Sequence, residues 1–180
     1  MLSKLPKSCD IGCKKNSQGF KESWQGYKLH LDINDIGMPL SAIVTSASTH
    51  DSQVAIPLMK MTEERVGVVL YELMDSAYDC PQIEAASRKL GRIPIIDINP
   101  RRNAEKQAEK RDRSVLKGLG IPLSQDVRFN ERTTAERANA RLKDDFGAKT
   151  LRVRGHAKAR CHLMFGICVL AADCLLRLMT

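Results

Sequence analysis

VGVVLYELMDSAYDC, residues 66–80, decides how this chain is read. VGVVL runs without a charge into YELM, the pattern of a strand covered on both faces rather than one alternating between core and water. The run ends in two acids, Asp75 and Asp79. Beyond them PQIEAASRKLGR (81–92) opens with proline and closes at Gly91, the punctuation of a helix, and IPIIDI (93–98) is a second buried strand. Strand, helix and strand in that order predict a parallel crossover unit. In open α/β sheets, ligand sites gather at the carboxyl ends of the strands, and Asp75 stands at such an end.

On the N-terminal side, YKLHLDI (27–33) alternates, NDIG (34–37) supplies a turn and MPLSAIVTSA (38–47) a second strand, so an antiparallel hairpin is expected. SQVAIPLMKMTEER (52–65) has helical spacing and follows Asp51 and Ser52, which can cap it. Residues 1–25 hold Lys4, Lys7, Lys14, Lys15 and Lys21 with little apolar periodicity and read as a basic loop or extended arm. On the C-terminal side, RRNAEKQAEKRDRSVLKGL (101–119) is charged, helix-forming and poor in apolar residues; it reads as a solvated insertion over about residues 101–130. TTAERANARLKDDFGA (133–148) has threonine caps and a glycine stop, hence a helix. KTLRVRGHAKAR (149–160) carries five Lys/Arg and no acid. LMFGICVLAADCLL (163–176) is apolar but 14 residues long and contains Asp173, short of the ~20 that a membrane span needs, so it reads as a core helix.

The 180 residues, 43% of them hydrophobic, suffice for one α/β domain with a sizeable core. Lys and Arg outnumber Asp and Glu by 29 to 21, a net charge of +8, which favours a polyanionic partner such as nucleic acid. The six cysteines lack the paired spacing of a disulfide framework, and the N-terminus has no apolar signal region; both fit the cytoplasm, with no membrane partner. Cys9 and Cys13 form half a zinc-site spacing with no second pair to complete it. His50, Asp51 and His30 come without a recognisable Ser or Cys nucleophile, and His156 and His162 do not have the i, i+4 spacing of a helical metal pair.

Two carboxylates carry the candidate chemistry. Asp75 is either a ligand-binding acid at the strand end or a cap for the following helix. Glu136 lies between Arg132 and Arg137, with Arg141 and Lys143 farther along the same helix. It is either an ion-paired surface residue or an acid in a basic face, where carboxylates hold a hard cation and arginines hold phosphate. The residues alone leave both open.

YKLHLDI, TSASTHDSQVAIPL (45–58), LMDSAYD (73–79), IIDINPRR (95–102), RTTAERANARLKDDFG (132–147) and RVRGHAKARCHLMFG (152–166), in that order, resemble the catalytic domain of bacterial insertion-sequence DDE transposases. The resemblance covers the chain from about residue 10 to its end. It implies an RNase H-like mixed sheet with flanking helices over residues 26–180, in which three carboxylates bind two divalent ions, Mg²⁺ or Mn²⁺, for phosphodiester hydrolysis and strand transfer on DNA. On this match Asp75 is the second aspartate and Glu136 the glutamate, while Asp79 is a helix cap. The implied partners are transposon ends and target DNA, with a homo-oligomer assembling on them. The implied DNA contacts are Arg132, Arg137, Arg141, Lys143, Arg152, Arg154 and Lys158.

The family's first aspartate belongs to a strand upstream of Tyr27. Here only Asp10 stands in that direction, in a segment with Pro6, Lys4, Lys7 and Lys14 that makes a poor strand. The fold is therefore expected to lack its first strand, as a truncated transposase would. The competing expectation is a catalytically inactive, DNA-binding remnant.

Overall fold

Ile11 and Cys13 alternate with Gly12 and Lys14 in a segment too polar to announce itself, yet it forms a strand. The computed structural model describes residues 2–15, 18–101 and 103–179. Its elements are β1 (Asp10–Lys15), β2 (Lys21–Ile33), β3 (Pro39–Ser46), α1 (Asp51–Glu63), β4 (Tyr71–Met74), α2 (Pro81–Lys89), β5 (Ile93–Ile96), α3 (Ala104–Gly118), α4 (Ser124–Phe129), α5 (Thr133–Asp144) and α6 (His156–Met179). They fall into two compact units: Met1–Val66 with Thr134–Thr180, and Gly67–Thr133.

In the first unit, β1, β2 and β3 form an antiparallel sheet in sequence order. The expected hairpin is present, with Tyr27 opposite Ser46 and Asp32 opposite Ser41. Its NDIG turn closes through Asn34, whose side chain accepts from the Met38 N–H at 2.8 Å, with Gly37 at a φ of 85° that favours glycine. The loop expected through residue 25 is instead a second hairpin, because β2 begins at Lys21 and β1 pairs with it from Asp10 opposite Gly26 to Lys15 opposite Lys21. At Gly12 a Cβ would collide with the Trp24 ring, so only glycine lets the indole lie across the strand. A strand therefore does form upstream of Tyr27, held by backbone pairing rather than by an apolar face: Ile11 is exposed.

Helix α1 buries Val54, Ala55, Pro57, Met59 and Thr62 and packs on β2 and β3. Its cap is His50, whose Nδ1 accepts from the Ser52 N–H; Asp51, an expected cap, is turned to other partners described below. Helices α5 and α6 close a core of Ala138, Leu142, Leu170 and Cys174 against Leu29, Leu31 and Ile33 of β2. Gly166 of α6 lies close to the Phe146 carbonyl, where a Cβ would sit at 3.0 Å. Helix α6 runs for 24 residues, well past the expected 14, and is long and apolar enough to cross a membrane by length and composition. One face, Ala159, Leu163, Gly166, Leu170 and Cys174, is buried in this unit, while Phe165, Val169 and Met179 on other faces are exposed.

In the second unit, β4 and β5 pair in parallel, Tyr71 opposite Ile93 and Met74 opposite Ile96, with α2 as the crossover. The expected parallel unit is present but its strands are short. Val66–Leu70 contributes no strand, and Val68 is 76% exposed, so the apolar run is not the doubly covered strand that its composition suggests. Ile83, Met74 and Ile95 form the apolar centre, beside a buried pair in which Arg92 Nη1 donates to Glu72 Oε2 at 2.7 Å. Helix α3 buries none of its residues.

Candidate functional site

The parallel register of β4 and β5 sets two acids at neighbouring strand ends. Asp97 follows β5, and its N–H donates to the Met74 carbonyl at 3.1 Å, so it lies beside Asp75, which follows β4. Asp75 is exposed and extended (φ −78°, ψ 176°), and its Oδ1 accepts from the Ala77 N–H at 2.8 Å, capping a 3₁₀ turn over Ser76–Tyr78. Its other oxygen has no partner among the described residues. The capping and ligand-binding readings of Asp75 are therefore compatible, since each needs one oxygen.

Asp79 does not cap α2, whose N-cap, Cys80, makes no side-chain capping bond. Its carboxylate instead accepts from Lys106 Nζ at 2.6 Å and from the Asn99 N–H at 2.8 Å. Burial by itself would push this carboxyl up, but the Lys106 and Asn99 bonds and the nearby Lys106 and Arg101 charges hold it below the ordinary carboxylate range. Asp97 has its own cation, Lys110 at 3.4 Å. Lys106 and Lys110, one helical turn apart on α3, thus offset two of the three acids and leave Asp75 without an ion pair among the described residues. The insertion is a source of counter-ions as well as a solvated helix. Sequence reasoning missed Asp97, Lys106 and Lys110; the signal was two lysines at i, i+4 following two strand-end acids.

Glu136 lies in the first turn of α5, where the helix dipole favours an acid, and it is exposed. Helical periodicity sets it on the same side as Lys143, away from Ala138 and Leu142 in the core. Glu136 belongs to the first unit and Asp75 to the second. Among the proposed DNA contacts, Lys143, Arg152, Arg154 and Lys158 are exposed and have no ion pair among the described residues. Arg132 stacks over the Phe129 ring at 5.3 Å, and Arg137 Nη2 donates to Thr134 Oγ1 at 3.5 Å. Arg141 is engaged within its unit: it pairs with Asp173 at 2.8 Å and Asp145 at 3.7 Å.

Asp10 stands at the first position of β1, with Oδ1 accepting from the Ile11 N–H at 2.8 Å and Oδ2 from Ser48 Oγ at 2.5 Å. The Ser48 and Ile11 bonds lower its pKa. Both oxygens are already used. His30 joins Thr45 Oγ1 at 2.9 Å to Asp51 at 3.1 Å, an arrangement that resembles a hydroxyl, imidazole and carboxylate relay. Thr45 is fully buried and its hydroxyl donates to the Ser46 carbonyl, so the chain of groups is a tether linking β2, β3 and α1.

Asp51 also pairs with Lys28 at 2.9 Å. Burial would push its carboxyl up, but the hydrogen bonds from His30 and Lys28 outweigh that and hold it at about 2, against an ordinary 3.8. A carboxyl depressed on folding stabilises the native state above its unfolded pKa and loses that contribution as pH falls towards the folded value. With this side chain 31% exposed, the first unit is expected to lose about 1–2 kcal/mol through Asp51 between about pH 4 and about pH 2. Acid unfolding followed by the fluorescence of Trp24, the single tryptophan, is the measurement. Asp51→Asn should flatten that limb, and an unchanged limb would count against Asp51 as its source.

Among the described residues, no group of three or more His, Cys, Asp or Glu side chains is placed to hold a metal ion. A family model described as transposase DDE domain matches residues 6–171. No curated protein and no solved structure matches the chain.

Proposed function

The chain belongs to the transposase DDE domain family, and from that premise we propose that it acts on DNA by metal-dependent phosphodiester hydrolysis and strand transfer, through an RNase H-like fold. The observation that carries the reading is Asp75: an exposed strand-end carboxylate with one oxygen uncommitted, while the two acids beside it are offset by lysines. The antiparallel β1–β2–β3 sheet and the parallel β4–β5 pair support the fold assignment.

The family uses divalent metals, and the donors here fit Mg²⁺ or Mn²⁺. Carboxylate oxygens suit a hard cation, and Mg²⁺ is commonly held by one or two carboxylates with water and substrate phosphate completing the shell, so a preassembled cluster of three acids is not required. Asp75 and Glu136 are each proposed as a metal-binding carboxylate. A bound divalent ion supplies Lewis-acid activation of the attacking oxygen and stabilisation of the leaving one. The residues of the chain do the rest. Asp75 presents its free oxygen from a capped turn, Glu136 presents its carboxylate from the first turn of α5, and Lys143, Arg152, Arg154 and Lys158 bind and orient DNA phosphates. The reading places the protein with DNA in the cytoplasm, assembling as a homo-oligomer on transposon ends.

A second reading, a DNA-binding protein without strand transfer, is favoured by Asp10, the candidate third carboxylate, whose oxygens are both engaged within the chain. Incubating the purified chain with Mg²⁺ or Mn²⁺ and an end-containing or nicked duplex separates the two. Cleavage that falls at least about a hundredfold in Asp75→Asn and in Glu136→Gln supports the enzyme, on the ordinary scale for loss of a group that stabilises charge in the transition state. Binding without cleavage supports the second reading.

A further inference from the structure

Asp79 closes the Asp-x-x-Tyr-Asp run, and the proposed chemistry leaves it without a part. The turn that carries Asp75 is gripped at both ends by residues far along the chain. At its start, Asn99 Nδ2 donates to the Ser76 carbonyl at 3.1 Å. At its end, Asp79 accepts from the Asn99 N–H at 2.8 Å, and Lys106 Nζ reaches both carboxylate oxygens at 2.6 Å. Lys106 is itself fixed, because its N–H donates to Asn103 Oδ1, the N-cap of α3, at 3.0 Å. Within the turn, Asp75 contributes only its bond to the Ala77 N–H and its carbonyl, which accepts from the Tyr78 N–H at 3.0 Å. The position of its second oxygen therefore follows the turn, and the turn follows Asn99 and Lys106.

We propose that Asp79, Asn99 and Lys106 are positioning residues for Asp75: they clamp its turn so that the uncommitted oxygen meets a divalent cation, while Asp79 stays with Lys106 and does not ligate. This rests on Asp75 being a metal ligand. The side chain of Asp79 is 18% exposed and its oxygens already receive a lysine and an amide, so it is poorly suited to recruit a cation from water. Partners that orient a ligand commonly matter to metal affinity nearly as much as the ligand does.

Mn²⁺ binding to the full chain, read from the electron paramagnetic resonance of free Mn²⁺, tests the clamp. The double variant Asp79→Asn with Lys106→Gln conserves net charge, so long-range electrostatics is unchanged while the ion pair is lost. It is expected to bind Mn²⁺ about tenfold more weakly, whereas Lys106→Arg, which keeps the pair, binds as the parent does. Asn99→Ala breaks the uncharged arm of the same clamp and should act in the same direction; it carries the test if the double variant does not fold. Unaltered Mn²⁺ affinity in the double variant, or in Asn99→Ala where that variant carries the test, overturns the proposal. So does tighter binding in Lys106→Gln that is lost again on adding Asp79→Asn, because Asp79 would then be a ligand. Asp75→Asn reports separately on the premise: if Mn²⁺ binding survives it unchanged, the metal reading of Asp75 falls and takes the clamp with it.

Discussion

Arg92→Met is expected to destabilise the 67–133 unit by about 3–5 kcal/mol, the cost of removing one member of a buried ion pair. The Arg92 side chain is 0% exposed and that of Glu72 11%, with 2.7 Å between Nη1 and Oε2. Glu72 lies on β4 opposite Pro94, which has no N–H to offer it. Removing the guanidinium takes a buried positive charge away from the Glu72 carboxylate, on a pair of strands only four residues long each. The measurement is hydrogen exchange at the β4 and β5 amides, because Trp24 reports only on the other unit. Adding Glu72→Leu to Arg92→Met should recover most of the loss, since the charge that needed compensation is gone. A cost below about 1 kcal/mol for Arg92→Met would show that water or another group replaces the guanidinium. The effect bears on the site because β4 and β5 are the strands that deliver Asp75 and Asp97.

Glu72 itself was the available warning. An acid inside an apolar strand needs a partner, and the partner lies twenty residues on, beyond the reach of any local pattern. Where one element supplies its own signal, the sequence was legible. The β2–β3 hairpin rests on alternation and an Asn-Asp-Ile-Gly turn, α5 on threonines at its start and an inner face of Ala138 and Leu142, and the β4–α2–β5 crossover on its order of elements. Where structure depends on pairing between distant segments, it was not. The Asp10–Lys15 segment has no buried apolar stripe and is a strand only because β2 offers its edge and Gly12 admits Trp24. VGVVL has the composition of a buried strand, but it forms none: its link to a neighbouring strand is at its last residue, where the Leu70 carbonyl accepts from the Ile93 N–H of β5 at 2.8 Å.

The same division runs through the candidate site. The end of one apolar run and the start of one helix made Asp75 and Glu136 candidates, and only the resemblance assigned them as metal ligands. The roles of their neighbours depend on α3, whose lysines reach back to the strand ends. Local reading made Asp79 a cap because acids before helices commonly are caps. Tertiary contact makes it a tether. The resemblance likewise grouped Arg141 with the DNA-binding residues, whereas in the fold its guanidinium pairs with Asp173, whose carboxyl it holds below the ordinary range.

That assignment sharpens the expected salt dependence of DNA binding. With Arg141 engaged, the four exposed cations without an ion pair among the described residues, Lys143, Arg152, Arg154 and Lys158, are the ones proposed for phosphates, so the slope of log affinity against log salt should be about −4. Raising salt fourfold, from about 50 to about 200 mM, would then weaken binding by about a hundredfold. Fluorescence anisotropy with a labelled duplex measures it. Arg152→Ala with Arg154→Ala should reduce the slope by about 2 and weaken binding to any sequence alike, as phosphate contacts do. Arg141→Gln should leave the slope unchanged and lower the melting temperature of the first unit instead, because Asp173 and Asp145 lose their shared cation. A flat salt response would remove the DNA-binding assignment altogether. A slope that drops by about 1 in Arg141→Gln would show that DNA draws this arginine away from Asp173, and with it the inner edge of α5 into the DNA interface.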